Sequence, residues 1–267
     1  MVPSCWMKGV LAALALALAL SQAAAPQDLL RFLDLKSEEF TKADMTRPEI
    51  EAALAAVGGT VDLSGKRLNG LDLSGLDLRR ATLQAARLNG ARLVGTNLDG
   101  VTLDQAWALD ADLTGARLRG ASLFATQLMG ARLDGADLSG ARITADLSRA
   151  SLKGARLDGA DLSADMRNQS MGLMRGVLRS ATLDGASLAN ANLSRAVLEF
   201  ASLRDASLEG ARLNGSELAG ADFQGADVAG ADFDSADVTS TRLAGARGRD
   251  KALNLDRAKN LERAVLD

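Results

Sequence analysis

Five carboxylates recur at five-residue intervals late in the chain: Glu217, Asp222, Asp227, Asp232 and Asp237. Grouped carboxylates hold hard cations such as calcium, or share protons as a general acid and base. Both chemistries require oxygens that converge on one point, so the direction imposed by a spacing of five decides the matter. An α-helix advances ~100° per residue and would scatter every fifth side chain around its circumference. A flat strand would send successive members to opposite faces. Neither element gathers the series. Other reactive groups are scarce, because the 267 residues include no histidine and a single cysteine, Cys5. Loss of an N-terminal leader, expected below, removes that cysteine too. Thiolate nucleophiles, imidazole bases, disulfides and the usual zinc sites are then excluded. No activated nucleophile or nucleotide loop is present, and the recurrent glycines make any G-x-G pattern meaningless. The reading is a non-enzymatic protein without cofactor or metal.

The element that explains the carboxylates also explains the leucines. In "ARLDGADLSGARITADLSRASL" (131–152) large apolar residues stand at Leu133, Leu138, Ile143, Leu147 and Leu152. The same register runs from Leu63 through Leu103, passes Ala108 and resumes at Leu113. Two residues earlier stands a small residue, as at Ala81, Ala91, Ala116, Ala121, Ala131 and Ala136, and the remaining positions are polar or glycine. A chain that turns about 90° every five residues meets all of this. Alanine and leucine face a common axis, and glycine after the leucine suits a corner where positive φ is cheap. Four repeats close a coil of about 20 residues, and about nine coils stacked at ~4.8 Å make a rod near 43 Å long. Consecutive carboxylates then point to different sides, as a solvated rim does.

Units such as "ADLSG" (136–140), "ANLSR" (191–195) and "ADFQG" (221–225) resemble those of pentapeptide repeat proteins, and the resemblance covers about residues 61–247. It implies an all-β solenoid, a right-handed quadrilateral β-helix, here with short α-helical caps at both ends. In such proteins late phenylalanines accompany a dimer-forming end. Phe223 and Phe233, alternating with Val228 and Val238, are therefore candidates for a homodimer contact as well as for core packing. Some members protect type II topoisomerases by resembling duplex DNA, which requires sustained negative faces. Residues about 20 apart should stack, giving columns Asp72, Arg92, Asp112, Arg132 and Arg117, Asp137, Arg156. These columns cancel their own field. No continuous basic stripe follows phosphates either, so no nucleic-acid partner is expected.

The flanks carry the remaining signals. "MVPSCWMKGVLAALALALALSQAAAP" reads as an export signal, with Lys8, an apolar run from Gly9 to Leu20 and cleavage after Ala23. The apolar run is too short for a comfortable membrane span. Residues 24–60 form a helical preface, in which "TRPEIEAALAAVGG" supplies Thr46 as N-cap, Glu49 as its capping-box partner and Gly58 with Gly59 as the stop. Ile50, Leu54 and Val57 share one face. Residues 248–267 read as a C-terminal helical cap with Leu255, Ala258, Leu261 and Val265 along one side. The register loses one residue between Ile143 and Leu147 and again between Leu162 and Met166. A loop near 167–176 follows, which either only absorbs the change of register or offers Arg167, Asn168, Gln169, Met171 and Met174 to a protein partner. Trp107, at an outward position, is a candidate exposed anchor, or else lies against its own surface. The resulting expectation is an exported scaffold or interaction protein, periplasmic or secreted, whose protein partner is unidentified. The alternative is an intracellular DNA-mimic inhibitor or protector of a type II topoisomerase.

Overall fold

The computed structural model describes residues 34–56, 59–166 and 174–267. The leader, its cleavage position and most of the loop candidates lie outside these residues. The chain divides into Met1–Ser37 and Glu38–Asp267, and the second unit holds everything that follows.

That unit is a β solenoid preceded by two helices, α1 (Glu38–Thr41) and α2 (Arg47–Ala55). Thr46 caps α2 as expected, since its amide and hydroxyl both donate to the Glu49 carboxylate at 2.7 and 2.8 Å. The helix ends at Ala55, before the glycine pair, and drives Ile50 wholly into the core beneath the first coil. Leu54 packs less completely against that core, and Val57 lies outside the described residues.

Strands here are almost single bridges. Among the described residues only β1 (Val61–Asp62) and β2 (Ala81–Thr82) extend to two residues, and they pair in parallel. The other parallel bridges form four series per coil, as in Asp72 with Arg92 and Arg92 with Asp112, each 20 residues on. Hydrogen bonds alternate within each series. Leu73 donates to the Arg92 carbonyl at 2.7 Å, and the Arg92 amide returns to the Leu71 carbonyl at 2.9 Å. Each corner is a turn closed within the coil, as where the Ala91 amide reaches the Leu88 carbonyl at 3.0 Å. Its third residue takes φ near +60°, usually glycine, as in a type II turn. Leucine and alanine from successive coils fill one continuous lumen with almost no exposure. Threonine at the alanine position is accommodated because Thr96, Thr126 and Thr241 each donate to a leucine carbonyl at 2.8 to 2.9 Å.

The two register slips have different causes. Between Ile143 and Leu147 the positive-φ corner residue is simply missing, and Gln127 pairs with Asp146, 19 residues on. Thr144, Asp146 and Ser148, in what are ordinarily outward positions, are consequently buried. The second slip, expected between Leu162 and Met166, is not a deletion. Asp146 pairs with Val177, 31 residues on, so the chain leaves the coil after Ala164 and returns at Gly176. Met166 takes no core position and is 47% exposed. The Gly176 amide still reaches the Leu162 carbonyl at 2.9 Å, which remakes the ordinary corner turn across the excursion. An alanine there would bring its Cβ within 2.9 Å of the Leu162 Cβ and 3.0 Å of the Leu162 carbonyl oxygen.

The C-terminal cap is not α-helical. Three 3-10 turns, Arg249–Lys251, Leu255–Arg257 and Leu261–Arg263, alternate with bridges at Leu253, Lys259 and Val265. The stretch "ALNLDRAKNLERAVL" therefore continues the coil with faces of six residues. Ala252, Ala258 and Ala264 pack against the core together with Leu255 and Leu261, while Val265 is exposed. Asn254 and Asn260 turn the corners at φ 52° and 60°. A six-residue period repeats apolar residues at spacings of three and six, which an α-helical reading also accepts. Replacing Gly176 by alanine should cost about 1–3 kcal/mol through overpacking, read as a lower thermal midpoint; an unchanged midpoint would refute the close approach.

Candidate interaction surface

Each corner leaves a backbone amide to be satisfied, and the outward side chains are chosen to do it. Where Asp or Asn precedes the leucine, its side chain accepts from the amide two residues on. Asp72 accepts from Ser74 at 3.0 Å, Asp137 from Ser139 at 3.1 Å and Asn192 from Ser194 at 3.2 Å. This is the physical meaning of the A[DN]LS unit, a side chain that mimics a turn of backbone. At some corners where Arg, Ser or Trp stands in that position, an Asp or Asn of the preceding coil serves instead. The Arg119 amide donates to Asp99, the Phe124 amide to Asp104, the Lys153 amide to Asp134 and the Leu109 amide to Asn89, all between 2.9 and 3.0 Å.

The charged columns stack as read, Asp72–Arg92–Asp112–Arg132 and Arg117–Asp137–Arg156 forming bridges in that order. Ion pairing runs more diagonally than the columns. Asp137 pairs with Arg119 at 2.6 Å rather than with Arg117, and Arg117 turns to Asp99 at 2.5 Å. The late carboxylates are engaged too. Glu217 meets Arg175 at 2.8 Å, Asp222 lies 3.7 and 3.9 Å from Arg204 and Arg242, and Asp232 accepts from Asn214 and Asn254. Asp227 accepts from the Ala229 amide, and Asp237 from Thr239 and Asn260. Glu217 and Asp237 share one ladder, one coil apart. Among the described residues no group of three acidic, cysteine or histidine side chains is arranged as metal ligands.

For three of these aspartates the bonds favour the ionised form. The Arg79 guanidinium lowers Asp77 to about 2. For Asp137 burial pushes upward, and the bonds from Ser139 and Arg119 outweigh it, leaving the group below the ordinary carboxylate value. The Thr239 hydroxyl holds Asp237 below that value, against its burial. Such groups act as fixed acceptors of the frame.

The candidate contact residues are dispersed. Trp107 is half buried rather than exposed, because the Phe40 ring from α1 meets it edge-on with centroids 5.3 Å apart, and Arg87 lies over Phe40 at 5.6 Å. Arg167, Asn168, Gln169 and Met171 lie outside the described residues. Met174 is half buried at the neck of the excursion, where its carbonyl accepts from the Asp165 amide at 2.7 Å, and Arg142 pairs with Asp165 at 2.9 Å. Phe223 and Phe233 are wholly buried and meet edge-to-face across the lumen at 6.3 Å. They present no surface to a second chain; at that end Leu253 and Val265 are the exposed apolar residues. The aromatic that sequence reading missed is Phe200, 66% exposed on a corner at φ 58°. Its ring lies over Gly220 of the next coil, where any Cβ would stand 2.6 Å from it. The signal was available, since a side chain at a glycine corner faced by glycine 20 residues later recurs at Asp110, Asn190 and Asp205.

A repeated five-residue corner, stacked parallel bridges and an alanine–leucine lumen define a β-helix solenoid. The chain belongs to the pentapeptide repeat family, whose pattern matches residues 62–164 and 177–247 in eight overlapping copies. It is similar to HetL, a pentapeptide repeat protein involved in heterocyst differentiation regulation from the cyanobacterium Nostoc sp. strain PCC 7120. The identity is 30% over 83% of this chain and 94% of HetL, with a TM-score of 0.58. QnrB1, a plasmid-mediated fluoroquinolone resistance protein, matches at 19% identity over 79% of this chain and 92% of its own, with a TM-score of 0.46. No curated protein matches the sequence.

Two outcomes follow from the corner carboxylates. Asp137→Ala should lose about 1–3 kcal/mol, because Arg119 and the Ser139 amide both lose their acceptor, whereas Asp137→Asn should lose less by keeping the turn. A carboxylate lowered in the folded state stabilises fully above its unfolded pKa and loses that contribution as pH falls through the folded value. The thermal midpoint should thus be flat near neutrality and fall between about pH 4 and pH 2, as calorimetry at fixed ionic strength would show; a midpoint that rises on acidification would contradict the assignment.

Proposed function

We propose that this pentapeptide repeat protein is an exported, non-enzymatic scaffold that acts by binding another protein, working in the periplasm or outside the cell. The observation that carries the reading is the internal neutrality of its faces. Asp and Arg alternate along the Asp72 and Arg117 ladders, and Asp137 and Asp99 pair with arginines, which argues against the sustained negative field that imitation of duplex DNA requires. Carboxylates committed to corner amides are likewise poor candidates for proton transfer, which argues for a frame rather than a catalyst. The resemblance to HetL, a protein of regulatory involvement, supports an interaction role. The leader sequence supports export.

In the same reading the solenoid is four-sided and right-handed. Four bridge series per coil support the first property and the family resemblance the second. The excursion that begins after Ala164 presents the partner-binding loop, including Arg167, Asn168, Gln169, Met171 and Met174. A homodimer through the C-terminal end would use the exposed Leu253 and Val265.

Fractionation of cells producing the C-terminally tagged chain tests export. The expected product is a shortened protein beginning after Ala23 outside the cytoplasm; a full-length cytoplasmic product would overturn export and favour the intracellular inhibitor. Deleting Asn168 to Leu173 should leave the thermal midpoint within about 1–2 °C of the parent, since the corner turn closes without these residues. Loss of cooperative melting on that deletion would make the loop structural.

A further inference from the structure

The first coil has no coil before it, so backbone groups aimed toward the N-terminal end need other partners. In later coils two carbonyls per face accept from the preceding coil, as Arg92 accepts from Leu73 and Val94 from Gly75. On the first coil the Arg67 face is served by the chain itself. The Asp44 amide donates to the Arg67 carbonyl at 2.7 Å, the Arg67 amide to the Asp44 carboxylate at 3.0 Å, and Ala43 forms an antiparallel bridge with Leu68. On the next face the Arg47 guanidinium donates to the carbonyls of Asp72 and Ser74 at 3.0 and 3.1 Å. On the Asp77 face nothing does so. Among the described residues no group donates to the Asp77 or Arg79 carbonyl, and the Asp77 amide has no acceptor.

This open edge borders a groove of about 610 Å³ between α2 and the first coil, lined by Glu51, Leu54, Leu76, Asp77, Arg79 and Arg80. Leu54 and Leu76 form an apolar floor that is only partly covered. The charges are uneven. Glu51 is paired with Arg47 and Asp77 with Arg79, whereas Arg80 binds the Gly59 carbonyl and has no carboxylate partner among the described residues. Alternating backbone donors and acceptors beside an apolar strip match one class of ligand best, another polypeptide in extended conformation.

We propose that this groove binds an extended segment of a partner protein by strand addition to the Asp77–Arg79 edge. The added strand runs antiparallel, as Ala43–Asp44 does on the Arg67 face, with apolar side chains on Leu54 and Leu76 and an acidic residue at Arg80. The site is separate from the excursion, and it stands whether or not the chain is exported.

The probe is a fluorescent peptide Glu-Val-Thr-Val-Thr-Lys, titrated into the full folded protein. Saturable binding is expected, with slowed hydrogen exchange at the Asp77 amide. In a strand alternate amides face opposite ways. N-methylation of the set that faces the edge should weaken binding at least about tenfold, while methylation of the other set should leave it within about twofold. Arg80→Glu should weaken binding without lowering the thermal midpoint of the solenoid, and Leu54→Lys should weaken it in a chain that still folds. Absent saturation, equal binding of both methylated peptides, or unchanged exchange at Asp77 would overturn the proposal. So would self-association of the unliganded protein that Leu54→Lys abolishes, since the occupant would then be a second copy. Should Leu54→Lys fail to fold, the paired methylated peptides decide the question on the unmodified protein.

Discussion

A backbone that turns every five residues must present polar groups at every corner, and this fold depends on how those groups are met. Between coils the ladder bonds take care of the faces. At many corners an amide faces outward, and an Asp or Asn side chain accepts it, either from within the same turn or from the coil below. The choice of outward residue is thus a backbone requirement before it is a surface property. The abundance of aspartate follows from it, and arginine then balances the charge, as between Arg119 and Asp137.

The lumen is the second constraint. Alanine at one inward position and leucine at the other leave a narrow core with little tolerance. Where larger groups enter they do so in compensation, as Phe223 and Phe233 alternate with Val228 and Val238. Where the chain leaves and re-enters, the backbone comes so close to Leu162 that only glycine fits, at Gly176. Both ends of the tube need separate solutions. At the N-terminal end a short helix and two side chains, Asp44 and Arg47, substitute for the missing coil on two faces. At the C-terminal end six-residue faces with 3-10 corners finish the tube.

These solutions are the places where the chain departs from the repeat. The charged columns neutralise themselves; among the described residues they are interrupted by the departure after Ala164, the Phe200 corner and the Asp77 edge.

By itself the sequence determined the corner every fifth residue, the inward alanines and leucines, the stacking of Asp72 on Arg92 and the capping of α2 by Thr46. Each of these is a local rule repeated many times, and repetition makes a weak preference unmistakable. Single events were harder to read. The missing corner at Ile143 was visible, but the interval from Leu162 to Met166 imitated it, because a departing chain and a shortened turn look alike over four residues. The last twenty residues imitated an α-helix, because a six-residue face and a helix both bring apolar side chains back at three and six. Which residues lie outside was also undecidable locally, since Trp107 is covered by Phe40, far away in sequence. Only the tertiary structure decided these, because burial and edge pairing depend on which coil, or which end, lies next to a residue in space.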